Sequence, residues 1–188
     1  MREEKFKRDL IAQARLEAGH RVLDLGCGTA TLTILAKQLH PGTIIVGLDG
    51  DPRILEIGRA KVAKAGVDIT LDHGMAFQLP YPDQSFDRVL SSLVLHHLTT
   101  ENKQRTAREI LRVLRLGGEL HVADFGKPRT VWSRLISPLM YRLEEAADNV
   151  QGRLPEIFRQ AGFEQVEETA WYATIFGALS LYRARKPG

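Results

Sequence analysis

VLDLGCGTA, residues 22–30, reads as a buried strand that runs through two glycines straight into a helix. Val22, Leu23 and Leu25 supply the branched apolar side chains of a central parallel strand. Gly26 and Gly28 let a ligand approach the backbone closely where strand gives way to helix. A turn of this kind belongs to an α/β sheet.

The pattern on either side agrees. Residues 3–18 read as an amphipathic helix with Phe6, Leu10, Ile11, Ala14 and Leu16 on one face and Gly19 stopping it; with residue 19 it forms an N-terminal lid or sheet cover. Further strands are expected at 43–49, 67–72, 86–92 and 118–125, with helices between them. The helix over 101–114 is expected to end at Gly117 and Gly118. After a short helix at 154–160, FEQVEETAWY and TIFGALSLYRARK alternate like two paired strands. Residues 126–152, with Pro128, Pro138, Trp132 and Tyr141, form an amphipathic stretch suited to covering a substrate pocket. One domain over 1–188 is expected.

Composition bounds the function. The 188 residues are 44% hydrophobic and 26% charged, enough for one sizeable core. No run approaches the roughly 18 apolar residues of a membrane span, and the charged start lacks the apolar stretch of a signal peptide, so a cytoplasmic enzyme is expected. Cys27 is the single cysteine, which disfavours disulfides and thiolate metal clusters; no metal site is expected. The net charge of +3 is scattered and forms no basic stripe, so nucleic acid is not the expected partner.

The carboxylates around the glycine turn narrow the ligand. Asp24 stands two residues before the first glycine, where a dinucleotide fingerprint is normally apolar, and Thr31 replaces the third fingerprint glycine. A pyrophosphate gains nothing from Asp24, whereas the ammonium of an amino-acid-bearing cofactor does. Asp49 ends the second strand 21 residues after Gly28, where a carboxylate can accept both ribose hydroxyls of an adenosine. Each residue has a plain structural reading as well: Asp24 as a cap of the turn, Asp49 as a solvated strand end, the glycines as relief of crowding.

Five segments in order, VLDLGCGTA, VGLDGDPRILEIGRAK, LPYPDQSFDRVLSSLVLHHL, REILRVLRLGGELHVADFGKP and AGFEQVEETAWYATIFGALSLYRARK, resemble the class I S-adenosylmethionine-dependent methyltransferases. Within that family the small-molecule branch, with the quinone-biosynthesis carbon methyltransferases, is the most similar. The resemblance implies a Rossmann-like three-layer α/β sandwich with a seven-stranded, mostly parallel sheet and an antiparallel C-terminal hairpin. It implies S-adenosyl-L-methionine as cofactor, S-adenosyl-L-homocysteine as product, and a small-molecule or lipid-like methyl acceptor.

By the same resemblance Asp49 binds ribose, Gly26, Cys27 and Gly28 line the methionine and ribose portion, and Ser91 contacts the methionine moiety or is an ordinary strand-end hydroxyl. Gly50 and Met75 depart from the family pattern at the adenine subsite. The Met75 thioether is expected to fill the space over Gly50 and pack on adenine, with backbone near Ala76 adding polarity, or else to pack in the core. His96, in LVLHHL, lies where the family places groups near the acceptor and is the candidate base; a backbone-bonded structural histidine is the alternative.

Asp124 either orients the substrate or caps the segment near Lys127. Phe6, Trp132, Tyr141, Trp171 and Tyr172 are candidates for apolar acceptor walls. No Asn-Pro-Pro-Tyr-like motif follows the fourth strand, and no second thiol exists for a covalent cytosine adduct, which argues against nucleobase methylation. A non-catalytic adenosylmethionine-binding protein and a dinucleotide oxidoreductase are the remaining readings. The acceptor, the atom methylated and the oligomeric state stay open at this point.

Overall fold

The computed structural model describes residues 2–129, 148–174 and 177–188. The strands are β1 (Arg21–Leu25), β2 (Ile44–Asp49), β3 (Thr70–His73), β4 (Phe86–Ser92), β5 (Leu114–Phe125), β6 (Glu164–Thr174) and β7 (Gly177–Arg185). The helices are α1 (Arg2–Ala14), α2 (Thr31–Leu39), α3 (Pro52–Ala65), α4 (Thr100–Val113) and α5 (Leu154–Ala161). The seven strands form one sheet in the order β3-β2-β1-β4-β5-β7-β6. Neighbours are parallel from β3 to β5, and β7 lies antiparallel between β5 and β6. This is the Rossmann-like α/β architecture expected from the sequence, C-terminal hairpin included.

Alternation along the strands assigns the two faces. Val22, Ile45, Leu90 and Ala123 pack with Phe6, Leu10 and Ile11 of α1 and Leu32 and Ala36 of α2. Leu23, Leu25, Val89 and Val122 pack with Ile110 and Val113 of α4 and Ile157 and Phe158 of α5. Both faces are covered, so the inner strands are apolar almost throughout. The strand order reverses direction between β1 and β4, and the crevice beyond their C-terminal ends is where such sheets hold ligands.

Three boundaries differ from the sequence reading. α1 stops at Ala14 and not at 18, because Arg15 takes φ 48°, a left-handed end reached without a glycine; Leu16 still packs in the core. α4 ends at Val113, where Leu114 is already extended and opens β5; Gly117 and Gly118 lie inside that strand. They sit where pairing with β4 slips between Phe86 and Arg88, so they serve a bulge and not a helix stop. β3 shortens to four residues, as befits the edge strand. Of the expected pocket cover at 126–152, residues 130–147, with Trp132 and Tyr141, lie outside the described residues.

The C-terminal end of α1 is latched to the sheet by a polar network. The Gln13 amide donates to the Tyr182 carbonyl (3.0 Å) and to His121 Nδ1 (3.1 Å), so Nδ1 accepts and the ring proton sits on Nε2. That Nε2–H donates to Glu119 (3.2 Å), which also receives Arg15 (3.0 Å). Arg88 donates to the Ala14 carbonyl at the helix end. Burial holds His121 below its ordinary value of 6.5, and the His121 N–H, with Arg88 and Arg15, draws Glu119 down to about 2. Both shifts have one sign: the unfolded chain takes up protons that the native network refuses. Stability therefore falls as pH drops below about 6.5, and again from 4.5 towards 2.

Urea unfolding at pH 7.5 and 5.5 should show this loss. A His121→Gln variant, about 1–2 kcal/mol less stable at pH 7.5, should lose less on acidification. Parallel pH profiles would detach His121 from the effect.

Candidate cofactor-binding and active site

A cavity of about 560 Å³ opens beyond the ends of β1, β2 and β4. Of the nine sequence-predicted cofactor residues, Asp24, Gly26, Cys27, Gly28, Asp49, Gly50, Met75 and Ala76 line it, and Ser91 does not. The glycine turn is its floor. The Gly26 and Cys27 amides both donate to the Leu48 carbonyl (2.7 and 3.0 Å), and the Gly28 amide donates to Asp49 Oδ2 (2.8 Å). Asp49 Oδ1 accepts the Asp51 amide (3.0 Å). Each carboxylate oxygen keeps a further lone pair, so the group can bind the turn and still accept ligand hydroxyls.

The two glycines are needed for different reasons. At Gly26, φ is 69° and a Cβ would lie 2.3 Å from Val94 Cγ2, so the turn packs directly on the segment after β4. At Gly28, φ is 53° and a Cβ would meet nothing within 4 Å. There the absent side chain simply leaves the cavity open. α2 follows at Thr31 from the N-cap Ala30, itself at φ 61° and giving no side-chain cap, so its first amides are donors for an anion at the cavity edge.

Asp24 is buried and accepts a hydrogen bond from Thr33 of α2 (2.6 Å). It therefore bonds a helix side chain, where the sequence had offered a cap of the turn. Burial raises its pKa to about 6, against the opposing pull of Thr33 and of Lys7, which also lines the cavity. Cys27 is buried as well, and burial pushes its thiol up, out of the nucleophilic range.

A Cβ on Gly50 would lie 3.1 Å from Met75 Sδ. The thioether thus stands over the glycine. Met75 is 46% exposed, which removes the core-packing alternative.

β4 explains Ser91. It is wholly buried beside Leu25 and Val122, and its hydroxyl has no hydrogen-bond partner among the described residues, whereas its neighbour Ser92 lines the cavity. Side chains alternate along the strand, and the sequence pair Ser91–Ser92 does not say which one reaches the end of it. His97 lines the cavity, and His96 lies beside it with ring centroids 3.9 Å apart and the planes tilted by 42°.

His96 Nδ1 lies 2.8 Å from Asp124 Oδ1. Asp124 also accepts the Val94, Leu95 and Phe125 amides, so it caps the 3-10 turn Leu95–His97 and not the segment near Lys127. Among the aromatic candidates, Phe6 packs in the core against Tyr172, and Trp171 is exposed beneath Arg129.

Lys7 was missed in the sequence. Its signal was a lysine among Phe6, Leu10, Ile11 and Ala14 on the apolar face of α1, a place where a charge needs a partner.

A glycine turn between two strand-end carboxylates, over an open nucleoside-sized crevice, defines an adenosylmethionine-binding α/β protein. Residues 22–118 match the methyltransferase domain family. Demethylmenaquinone methyltransferase of Symbiobacterium thermophilum is 30% identical over 97% of this chain and 82% of its own. The Listeria monocytogenes enzyme of that name is 31% identical over 86% and 77%.

Among solved structures, the Haemonchus contortus phosphoethanolamine N-methyltransferase 2 in complex with S-adenosyl-L-methionine superposes with a TM-score of 0.80 at 17% identity, covering 98% of this chain and 53% of that one. The [4+2]-cyclase SpnF gives 0.78 at 21%, covering 97% and 80%. The chain belongs to the methyltransferase domain family. It is a class I S-adenosylmethionine-dependent methyltransferase related to those of quinone biosynthesis.

Gly26→Ala should destabilise the fold by about 2–4 kcal/mol, since left-handed strain adds to overlap with Val94. Gly28→Ala should cost about 1–2 kcal/mol and act mainly on cofactor affinity. Urea unfolding of the two variants checks the order; equal losses would show that Val94 yields at no cost.

Proposed function

We propose that the enzyme methylates a small, partly apolar acceptor of the quinol type indicated by its relatives' name, a demethylated menaquinone in reduced form. The observation that carries the cofactor assignment is the pair Asp24 and Asp49 at adjacent strand ends, on either side of one glycine turn. The residues present fit S-adenosyl-L-methionine. Asp49 would hold the ribose hydroxyls, Asp24 the ammonium, and the α2 amides with Lys7 the carboxylate. Met75 over Gly50, with backbone near Ala76, would hold the adenine. Ser92 is the better candidate than Ser91 for the methionine end, being the serine that reaches the cavity.

When bound, the cofactor supplies an electrophilic methyl on a sulfonium and leaves as neutral S-adenosyl-L-homocysteine. The protein's task is alignment, exclusion of water and removal of the acceptor's proton. His96 is the proposed base for that proton, which leaves as the acceptor's electron pair forms the new bond to methyl. α1, whose Lys7 reaches the cavity, would serve as the lid within a single domain over 1–188. No helix among the described residues is long and apolar enough to cross a membrane. A cytoplasmic setting, where Cys27 stays reduced in the cofactor turn, completes the reading.

Calorimetry with S-adenosyl-L-homocysteine should give saturable binding, weakened about 30-fold or more in Asp49→Ala by loss of charge-assisted bonds, and NADH should give none. Preference for NADH would overturn the cofactor assignment, and wild-type affinity in the variant would overturn the ribose contact. Supplying a demethylated naphthoquinol with S-adenosyl-L-methionine then tests the acceptor class.

Asp24 adds a pH signature. With its pKa raised to about 6, the carboxyl is neutral below that pH and has no charge to offer an ammonium. Affinity for S-adenosyl-L-homocysteine should therefore fall by about tenfold per pH unit below 6 and level off above it. Asp24→Asn should bind weakly with that step removed; a flat wild-type profile would release Asp24 from the role.

A further inference from the structure

Among the described residues two histidines lie within hydrogen-bond distance of a carboxylate, and their surroundings differ. His121 is wholly buried with both ring nitrogens engaged, Nδ1 by Gln13 and Nε2 by Glu119. Among the described residues His96 has only Nδ1 engaged, by Asp124; its side chain is 13% exposed and lies beside His97, which lines the cavity. Its ring is held from two sides, tilted against His97 at 3.9 Å and edge-on to Phe125 at 4.7 Å.

Asp124 is itself wholly buried, and four donors converge on its two oxygens. Oδ2 takes the Val94 amide (3.2 Å) and the Leu95 amide (2.8 Å); Oδ1 takes the Phe125 amide (2.8 Å) and His96 Nδ1 (2.8 Å). A group surrounded by donors acts as acceptor at each contact, so the neutral imidazole carries its proton on Nδ1. Capping the 3-10 turn uses Oδ2 alone. The bond from Oδ1 to His96 has no part in that cap and fixes the ring.

We propose that Asp124 is a positioning residue: it holds His96 as the Nδ1–H tautomer and so makes Nε2 the atom that accepts the acceptor's proton. The proposal rests on the reading of His96 as the base. As the acceptor's electron pair forms its bond to the methyl carbon, its proton passes to Nε2, and the imidazolium so formed is stabilised by the buried carboxylate behind it. No oxidant or further reactant is needed. The arrangement also narrows the acceptor to one that sheds a proton from the reacting group, such as a hydroxyarene or its ring carbon, and away from a tertiary amine, which has none to give.

The test uses the full chain with 15N-labelled histidine and long-range nitrogen–proton correlation spectra above pH 8, the His96 signals being assigned by their loss in His96→Gln. The wild type should show a protonated Nδ1 and a lone-pair Nε2. In Asp124→Asn the amide carbonyl will keep the two-donor Oδ2 position and turn its NH2 toward Nδ1, so the proton moves to Nε2. A wild-type ring protonated on Nε2, or a tautomer unchanged in Asp124→Asn, overturns the proposal. If Asp124→Asn does not fold, the wild-type spectrum alone decides.

In turnover with a demethylated naphthoquinol, Asp124→Asn should lower kcat about 100-fold or more, with S-adenosyl-L-homocysteine affinity within about threefold of wild type. Added to His96→Gln it should cost nothing further, because it acts through that ring. Full activity in His96→Gln would sink the base assignment of the preceding subsection, an outcome distinct from a wrong tautomer.

Discussion

The hydrogen bond from the Gly28 amide to the Asp49 carboxylate, 2.8 Å long, joins the loop after β1 to the end of β2. It adds to the Leu48 carbonyl, which takes the Gly26 and Cys27 amides, as an anchor of the glycine turn on β2. A charge-assisted bond of this kind contributes about 1.5–3 kcal/mol. It fixes the position from which the chain turns through Ala30 into α2, and so aims the uncapped helix start at the cavity. The turn can take this path because Gly26 lies against Val94 with no side chain between them. One carboxylate thus sets the shape of the floor before any ligand arrives. Asp49 is consequently a poor residue to read by a single effect, since its removal loosens the turn and takes away the ligand's acceptor together.

Asp24 and Asp49 end adjacent strands in direct contact with one cavity, yet their environments separate them. Asp49 receives two backbone amides and is only partly buried. Asp24 has one hydroxyl donor and full burial, and Asp49 itself adds to the rise in its pKa. A cation entering beside Asp24 would relieve both burdens, which is why the unfavourable group is informative. Lys7 already opposes the rise from α1. The helix that latches onto the sheet through Gln13 and Arg15 at one end therefore brings a charge to the ligand cavity nearer its other end.

Much of this was legible in the chain because it depends on local pattern. The strand runs, the glycine turn and the two carboxylates each occupy positions set by periodicity, and five ordered segments made the family resemblance specific. Helix ends were less legible. Arg15 adopts a left-handed conformation without glycine, and Gly117 and Gly118 serve a bulge, because tertiary pairing of β5 with β4 decided both α4's end and the strand's start. At the rim the difficulty was parity. Ser91 and Ser92 are adjacent in sequence and opposite in placement, and only the sheet shows which of the two meets the cavity. The proximity of Gly50 and Met75 was legible only through the resemblance, since the two residues are 25 positions apart in the chain.

The fold itself leaves the chemistry undecided. The same architecture, at similar TM-scores, is shared with a phosphoethanolamine N-methyltransferase and with a [4+2]-cyclase. What distinguishes members must lie at the strand ends and in the segments that cover them. In this chain β4 and β5 deliver His96 and Asp124 side by side, and the amides of the turn that carries His96 bond the same carboxylate as its ring. Moving the carboxylate would thus disturb the turn, and moving the turn would misplace the ring. A histidine held only for packing needs no such arrangement, as His121 shows with both nitrogens consumed by its neighbours. The economy at His96 is different: one nitrogen is spent on orientation and the other is kept.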